Sequence, residues 1–202
     1  MGLICMDYND TGLNKAACRY YGKGYFPLAY KGKVANICIS EEDYKGIFYA
    51  AKAFTKDVEL VTDAKPLLVY KPEGDYIVIA GSMGKNPWID RLEKEGKINL
   101  DGIRGKWETY VLETLENPFD GIKKALIIAG SDKRGTIYGI YKLSEMIGVS
   151  AWVWWADSYP VKRDELLIAD GRIESKEPSV RYRGIFINDE EPCFGGWCYE
   201  KF

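Results

Sequence analysis

The sequence has no histidine, little net charge and no long apolar run, and each of these absences excludes a class of function. Without histidine among its 202 residues, the chain builds neither a Ser-His-Asp nor a Cys-His nucleophile system, nor a histidine-ligated metal site. A net charge of −2, with lysine and arginine dispersed, gives no electrostatic case for nucleic acid or an anionic membrane. No segment approaches the roughly 18 consecutive apolar residues of a membrane span. We therefore predict no metal, no cofactor, no nucleic-acid partner and no membrane partner.

Cysteine usage and the first ten residues predict the compartment. The five cysteines are odd in number and show no CxxC spacing, which favours free thiols in a reducing compartment. Asp7 and Asp10 come before an apolar run of signal-peptide length can develop. The sequence as written therefore predicts a cytoplasmic protein.

Alternating apolar runs and helical repeats predict an α/β fold. Hydrophobic residues make up 47% of the chain, which is enough for a substantial core. The predicted strands are Tyr25–Ala29, Val34–Ser40, Tyr76–Ala80, Trp107–Leu115 and Ala125–Ala129, with edge strands at Leu166–Ala169 and Arg172–Glu174. Lys31-Gly32-Lys33, between the first two runs, indicates a hairpin or strand pair. The predicted helices start at the Ser40 cap, at Asn86-Pro87 and near Gly135. Strands that alternate with three-turn helices indicate a mixed or mostly parallel sheet flanked by helices.

Composition divides the chain into three segments. Residues 1–24 have weak periodicity and are predicted to be irregular, whereas residues 25–177 carry the α/β pattern. Lys176-Glu177-Pro178 interrupts both periodicities and is typical of a linker. Residues 178–202 then form a separate segment.

Two stretches allow both a structural and a binding interpretation. Ser131–Thr136 joins a buried strand to a helix, where free amides attract anions, but the spacing matches no nucleotide fingerprint and also suits a tight structural turn. Trp152, Trp154 and Trp155 lie within four positions. If this stretch is a strand, alternation puts Trp152 and Trp154 on one face. Core packing of at least two indoles is favoured over a sugar-stacking or domain-contact role for one of them.

A third stretch places acids after an apolar strand. Asn188, Asp189 and Glu190 follow Gly184–Ile187, as polar residues do at the carboxyl ends of barrel strands. Carboxylates there suit the acid and base roles of glycosidic cleavage. Spacing alone favours the other interpretation, a solvated acidic turn after an edge strand.

Four stretches taken together resemble glycoside hydrolase family 115, the xylan α-1,2-glucuronidases. They are GKWETY (105–110), ALIIAGSDKRGTIYGIYKLSEMIGVS (125–150), WWAD (154–157) and PSVRYRGIFINDEEP (178–192). Their order and spacing are similar to the amino-terminal portion of that family.

The resemblance implies an accessory α/β domain packed on a (β/α)8 catalytic barrel. It implies inverting removal of glucuronic acid or its 4-O-methyl ether from side chains of glucuronoxylan or xylo-oligosaccharides. A barrel takes about 250 residues, so residues 178–202 would be its truncated start, with only the first strand. The chain alone is then expected to be inactive and to act as a scaffold. Members of this family are often exported.

The resemblance also implies site residues. Asn188 and Asp189 match pocket residues after the first barrel strand, so Asp189 is the leading catalytic candidate and Glu190 the second. The residues expected to bind substrate are Asn188, Trp154, Trp155 and Asp157.

Two other functions remain open, together with one assembly prediction. A freestanding carbohydrate-binding or assembly module would use the tryptophans, and a phosphate- or nucleotide-binding domain would use Ser131–Thr136. The exposed edge of a strand near 184–187 would favour pairing with a second copy, which predicts a homodimer.

Overall fold

The computed structural model of the chain describes residues 3–4, 17–190 and 194–201, with side chains over 24–190 and 194–200. The strands are β1 (Leu3–Ile4), β2 (Ala17–Tyr30), β3 (Lys33–Val34), β4 (Asn36–Cys38), β5 (Leu68–Val69), β6 (Tyr76–Ser82), β7 (Tyr110–Glu116), β8 (Lys124–Gly130) and β9 (Leu166–Glu174). The helices are α1 (Lys45–Thr62), α2 (Pro87–Lys94), α3 (Lys133–Met146), α4 (Trp152–Trp155) and α5 (Phe194–Lys201).

Within these ranges the strands form one mixed sheet in the order β3-β2-β9-β7-β8-β6-β4-β5, and β1 pairs with β9. Strands β5, β4, β6 and β8 are parallel to one another. Strand β7 is antiparallel to β8 and β9, and β9 is antiparallel to β2. The sequence prediction of an α/β fold with a mixed sheet flanked by helices is confirmed.

Alternation along the strands sends apolar side chains into two cores. On β8, Leu126 and Ile128 join the core that α1 and α3 cover. Ala125, Ile127 and Ala129 join the opposite core, which α2 covers. Because both faces of the strand are buried, it is apolar from Ala125 to Ala129, as the sequence indicated.

A turn and a helix start that depend only on neighbouring residues were predicted correctly. The β2–β3 hairpin turns at Lys31 and Gly32, both at positive φ, as a two-residue hairpin loop requires. Helix α2 starts at Pro87, and the side chain of Asn86 accepts hydrogen bonds from two amides of its first turn.

The predicted start of α1 at Ser40 is wrong, because the helix begins at Lys45. The Ser40 hydroxyl instead accepts the Glu42 amide within a turn, at 3.1 Å. The Asp43 carboxylate accepts the amide of Ser82, at 2.7 Å, at the carboxyl end of β6. That contact fixes Asp43 outside the helix, so the helix starts two residues after it.

Other segments also depart from the predictions. Leu166–Glu174 is one strand lying between β2 and β7 rather than two edge strands. The segment predicted to be irregular contributes its last residues to β2, which pairs with β9 from Ala17 onward. Gly184–Ile187 is exposed and is not a strand, because no neighbouring strand completes a hydrogen-bond ladder with it in the described part of the chain.

Candidate functional site

Glu108 lies at the point where three of the quoted stretches meet. Its side chain is only 6% exposed, and it bonds two guanidinium groups. Arg134, in the first turn of α3, lies 2.9 Å from one carboxylate oxygen, and Arg183 contacts the other. Arg183 also lies over the ring of Trp107, at 5.5 Å. The pair Glu108–Arg183 therefore fastens the segment after Pro178 to the α/β domain.

The turn at Ser131–Thr136 is filled by the chain's own polar groups. The Asp132 carboxylate accepts the amides of Gly135, at 2.7 Å, and of Glu108, at 2.9 Å. A Cβ atom added to Gly135 would lie 2.1 Å from the carbonyl oxygen of Thr109. A carboxylate thus occupies the anion-attracting end of α3, and the glycine allows close backbone packing. These contacts favour the structural interpretation of this turn over phosphate binding.

The tryptophan-rich stretch is a single helical turn, and its three indoles are exposed. Trp152 and Trp154 are 63% and 58% exposed, so the prediction that at least two of the three indoles pack in the core is wrong. The assumed strand alternation is also wrong, since α4 runs from Trp152 to Trp155. Trp155 stacks on Trp197 of α5 with ring centroids 4.6 Å apart. Asp157 follows the turn in the left-handed region, with φ 50°.

Helix α5 links the two groups of predicted site residues. Its Trp197 stacks on Trp155, and the amide of its Gly195 donates to the Asp189 carboxylate at 2.7 Å. Asp189 and Trp155 are therefore brought to the same end of the domain. Asn188 and Glu190 are exposed beside Asp189.

The structure also contains a cleft that the sequence reasoning missed. It has a volume of about 860 Å³ and lies between α1, α3 and the stretch that ends in α4. Trp152 and Trp154 border it, together with Asp57, Tyr141 and Ser144. The sequence did carry a signal for this cleft. Helical spacing places four of its lining residues along one side of α3, namely Tyr138, Tyr141, Lys142 and Glu145.

Burial sets the electrostatics of this cleft. It raises the pKa of the Asp57 carboxyl, although a 2.7 Å hydrogen bond from the Ser144 hydroxyl opposes the shift. It also raises the pKa of the Tyr141 phenol, with the nearby Asp57 charge adding to the effect. Lys142 and Glu145 pair at the rim at 3.0 Å. The lining thus carries one more carboxylate than cation.

Known proteins match both the carboxyl-terminal segment and the α/β domain. The model of Glycosyl hydrolase family 115 matches residues 175–202. The solved structure of BtGH115A, a family GH115 4-O-methyl-alpha-glucuronidase with specificity for decorated arabinogalactans, matches 82% of this chain at 31% identity with a TM-score of 0.66. This chain is a relative of glycosyl hydrolase family 115. The resemblance inferred from the sequence is confirmed.

The match to BtGH115A is partial on the side of that enzyme. The family 115 relative described here spans 20% of the BtGH115A chain. A more distant match is the GH20 β-N-acetylhexosaminidase of Streptomyces coelicolor A3(2), at 14% identity with a TM-score of 0.49. The match covers 83% of this chain and 26% of that enzyme's chain. A product-bound mutant β-hexosaminidase of Streptomyces plicatus matches at 13% identity with a TM-score of 0.48. This match also covers 83% of this chain and 26% of that enzyme's chain. No curated protein matches the chain. Within the described residues, no helix is long and apolar enough to cross a membrane.

Proposed function

We propose that this chain is the amino-terminal α/β part of an α-glucuronidase-like glycoside hydrolase. In this role it is a scaffold that presents residues 178–192 to a (β/α)8 barrel. The whole enzyme would remove glucuronic acid or its 4-O-methyl ether from polysaccharide side chains by inversion. Glucuronoxylan is the substrate that the family resemblance suggests, and the named specificity of BtGH115A adds decorated arabinogalactans.

The observation that carries this proposal is the contact of Glu108 with Arg183. It ties the segment matched by the family model to the domain matched by the solved enzyme. A domain that fixes the start of the next one performs the mechanical task of a scaffold. Asp189 would position substrate or water, with Glu190 as the second acidic candidate, while Asn188, Trp154, Trp155 and Asp157 would contact the sugar.

Activity would need groups beyond these. Inverting cleavage requires two carboxyl groups roughly 6.5–9.5 Å apart with a water between them, on opposite sides of the sugar. Asp189 and Glu190 are neighbours on one exposed segment, which does not enclose a sugar. We therefore expect the 202-residue chain alone to be inactive.

The test measures release of glucuronic acid from glucuronoxylan and from a decorated arabinogalactan by the purified chain. No release above a buffer control is expected. Turnover that disappears in Asp189→Ala would overturn the scaffold proposal. Sequencing the genomic DNA downstream of the Phe202 codon tests whether the domain belongs with a barrel. We expect an in-frame or frameshifted coding sequence for a barrel there, and unrelated sequence would contradict this part of the proposal.

A freestanding carbohydrate-binding or assembly module is the second candidate function. The exposure of Trp152 and Trp154 favours it, because indole rings at a surface are suited to stacking on pyranose rings. Co-sedimentation of the chain with insoluble glucuronoxylan would support this function, and full recovery in the supernatant would count against it. The homodimer predicted for the segment near 184–187 stays a prediction that sedimentation equilibrium would check.

A further inference from the structure

The cleft between α1, α3 and α4 has the size and shape of a ligand site. Its volume of about 860 Å³ falls within the 300–1,000 Å³ range typical of sites for small ligands. Trp152 and Trp154 border it on one side, while Tyr138 and Tyr141 of α3 border it on another. Neither Asp189 nor Glu190 lines the cleft, and Trp154 is the one residue that it shares with those proposed above to contact the sugar.

The aromatic rings and polar groups of the cleft match one class of ligand. Indole and phenol rings offer flat apolar faces with a polar edge, which suits a molecule whose faces are apolar and whose rim carries hydroxyl groups. The Asp57 carboxylate accepts the Ser144 hydroxyl at 2.7 Å and keeps acceptor capacity for a hydroxyl group of the ligand. A pyranose ring has this combination of faces and hydroxyls.

The charges restrict the ligand further. Lys142 is paired with Glu145 at 3.0 Å, so the cation of this wall is already neutralised by its neighbour. Asp57 then gives the cleft a negative balance, which repels a carboxylate-bearing sugar. The charge arrangement therefore suits an uncharged sugar.

We propose that this cleft binds an uncharged stretch of an oligosaccharide chain, with Trp152 and Trp154 stacking on its rings. The site would hold the polysaccharide backbone rather than the glucuronic acid side group. It would operate whether the chain works alone or as part of a larger hydrolase, and it requires no catalytic group.

The experiment titrates the 202-residue chain with xylohexaose and, separately, with a neutral galactan oligosaccharide, following tryptophan fluorescence and heat of binding. We expect saturable binding of at least one of them. Trp152→Ala and Trp154→Ala should each weaken it by roughly tenfold, the order expected for one lost aromatic contact with its buried area. Trp107→Phe is the matched control, because Trp107 lies on Arg183 outside the cleft, and its affinity should equal that of the parent.

The other outcomes decide against the proposal. No saturable response to either oligosaccharide at 10 mM would overturn it, as would equal affinities in the parent and both cleft variants. A xylo-oligosaccharide bearing glucuronic acid should bind no more tightly than the unsubstituted one of the same length, and exclusive binding of the acidic sugar would contradict the charge argument. If the two tryptophan substitutions instead abolish a dimer in sedimentation equilibrium, the cleft is a contact between copies and the proposal is wrong. Glucuronidase assays are independent of all these readouts.

Discussion

Replacing Glu108 by glutamine tests whether this residue fastens the carboxyl-terminal segment to the domain. Glutamine keeps the shape and one acceptor oxygen but removes the charge that faces Arg134 and Arg183. Hydrogen bonds to charged groups contribute about 1.5–3 kcal/mol each when buried. Both arginines are partly exposed and recover hydration, so we discount the combined loss to about 1–2 kcal/mol.

Thermal unfolding and proteolysis measure this loss separately. For a domain of this length, about 1–2 kcal/mol lowers Tm by about 2–8 °C. Trypsin must take the Arg183 side chain away from Glu108 before it cleaves after Arg183. With half of the combined loss assigned to each arginine, Glu108→Gln should speed that cut by about 2- to 5-fold. Cleavage after the exposed Lys31, in the turn between β2 and β3, should keep its rate and serves as the internal control.

A matched substitution at the surface completes the design. Glu59 pairs with Lys65 at 2.8 Å, and both side chains are well exposed, so Glu59→Gln should change the free energy of unfolding by under about 0.5 kcal/mol. If Glu108→Gln behaves like Glu59→Gln in Tm, and trypsin cuts after Arg183 at the parental rate, the fastening role assigned to Glu108 is refuted.

Three further substitutions or treatments have defined outcomes. Gly135→Ala should lower the free energy of unfolding, measured by urea titration, by about 3 kcal/mol or more, because the new Cβ would lie 2.1 Å from the Thr109 carbonyl oxygen. Gly46→Ala is the control. The nearest neighbour of its Cβ is a movable side-chain carbon at 3.2 Å, so this variant should lose under about 1 kcal/mol. Burial raises the pKa of Asp57 above 3.8, so the folded state binds its proton more tightly and stability falls as pH rises through that raised pKa. Asp57→Asn should therefore be more stable than the parent at pH 7, with the difference shrinking towards pH 4; a constant difference would contradict the pKa shift. Burial raises the pKa of Cys38 to about 12, so only about one thiol in ten thousand is ionised at pH 8, and site-resolved iodoacetamide labelling should modify it in urea but not in the native protein.

Local sequence signals predicted the elements whose geometry depends on near neighbours. The cap at Asn86 and the turn at Lys31 and Gly32 each involve residues within a few positions, and both occur where the sequence indicated. The start of α1 was misplaced because Asp43 bonds Ser82, 39 positions away. Capping residues carry no information about such a contact until the sheet has brought the two segments together.

The candidate site was predictable in its residue types but not in its connections. The family resemblance directed attention to Asp189 and Trp155, and helix α5 brings them together through Trp197. Glu108 was not singled out, because its partner Arg183 is 75 positions away and neither residue forms a local motif. The exposure of Trp152 was not predicted, because large apolar rings favour core packing and the sequence does not show which of them a neighbouring element covers.

The position of β9 has a consequence for the order in which the protein folds during synthesis. It is the last strand of the sheet to be made, yet it lies between β2 and β7, and it pairs with β2 along its length and with β7 at its end. Until Glu174 has been synthesised, the β2–β3 hairpin has no place in the sheet and β7 presents an open edge. The domain therefore folds after synthesis of nearly all of its sequence, and a nascent chain halted before β9 would expose edges that favour aggregation.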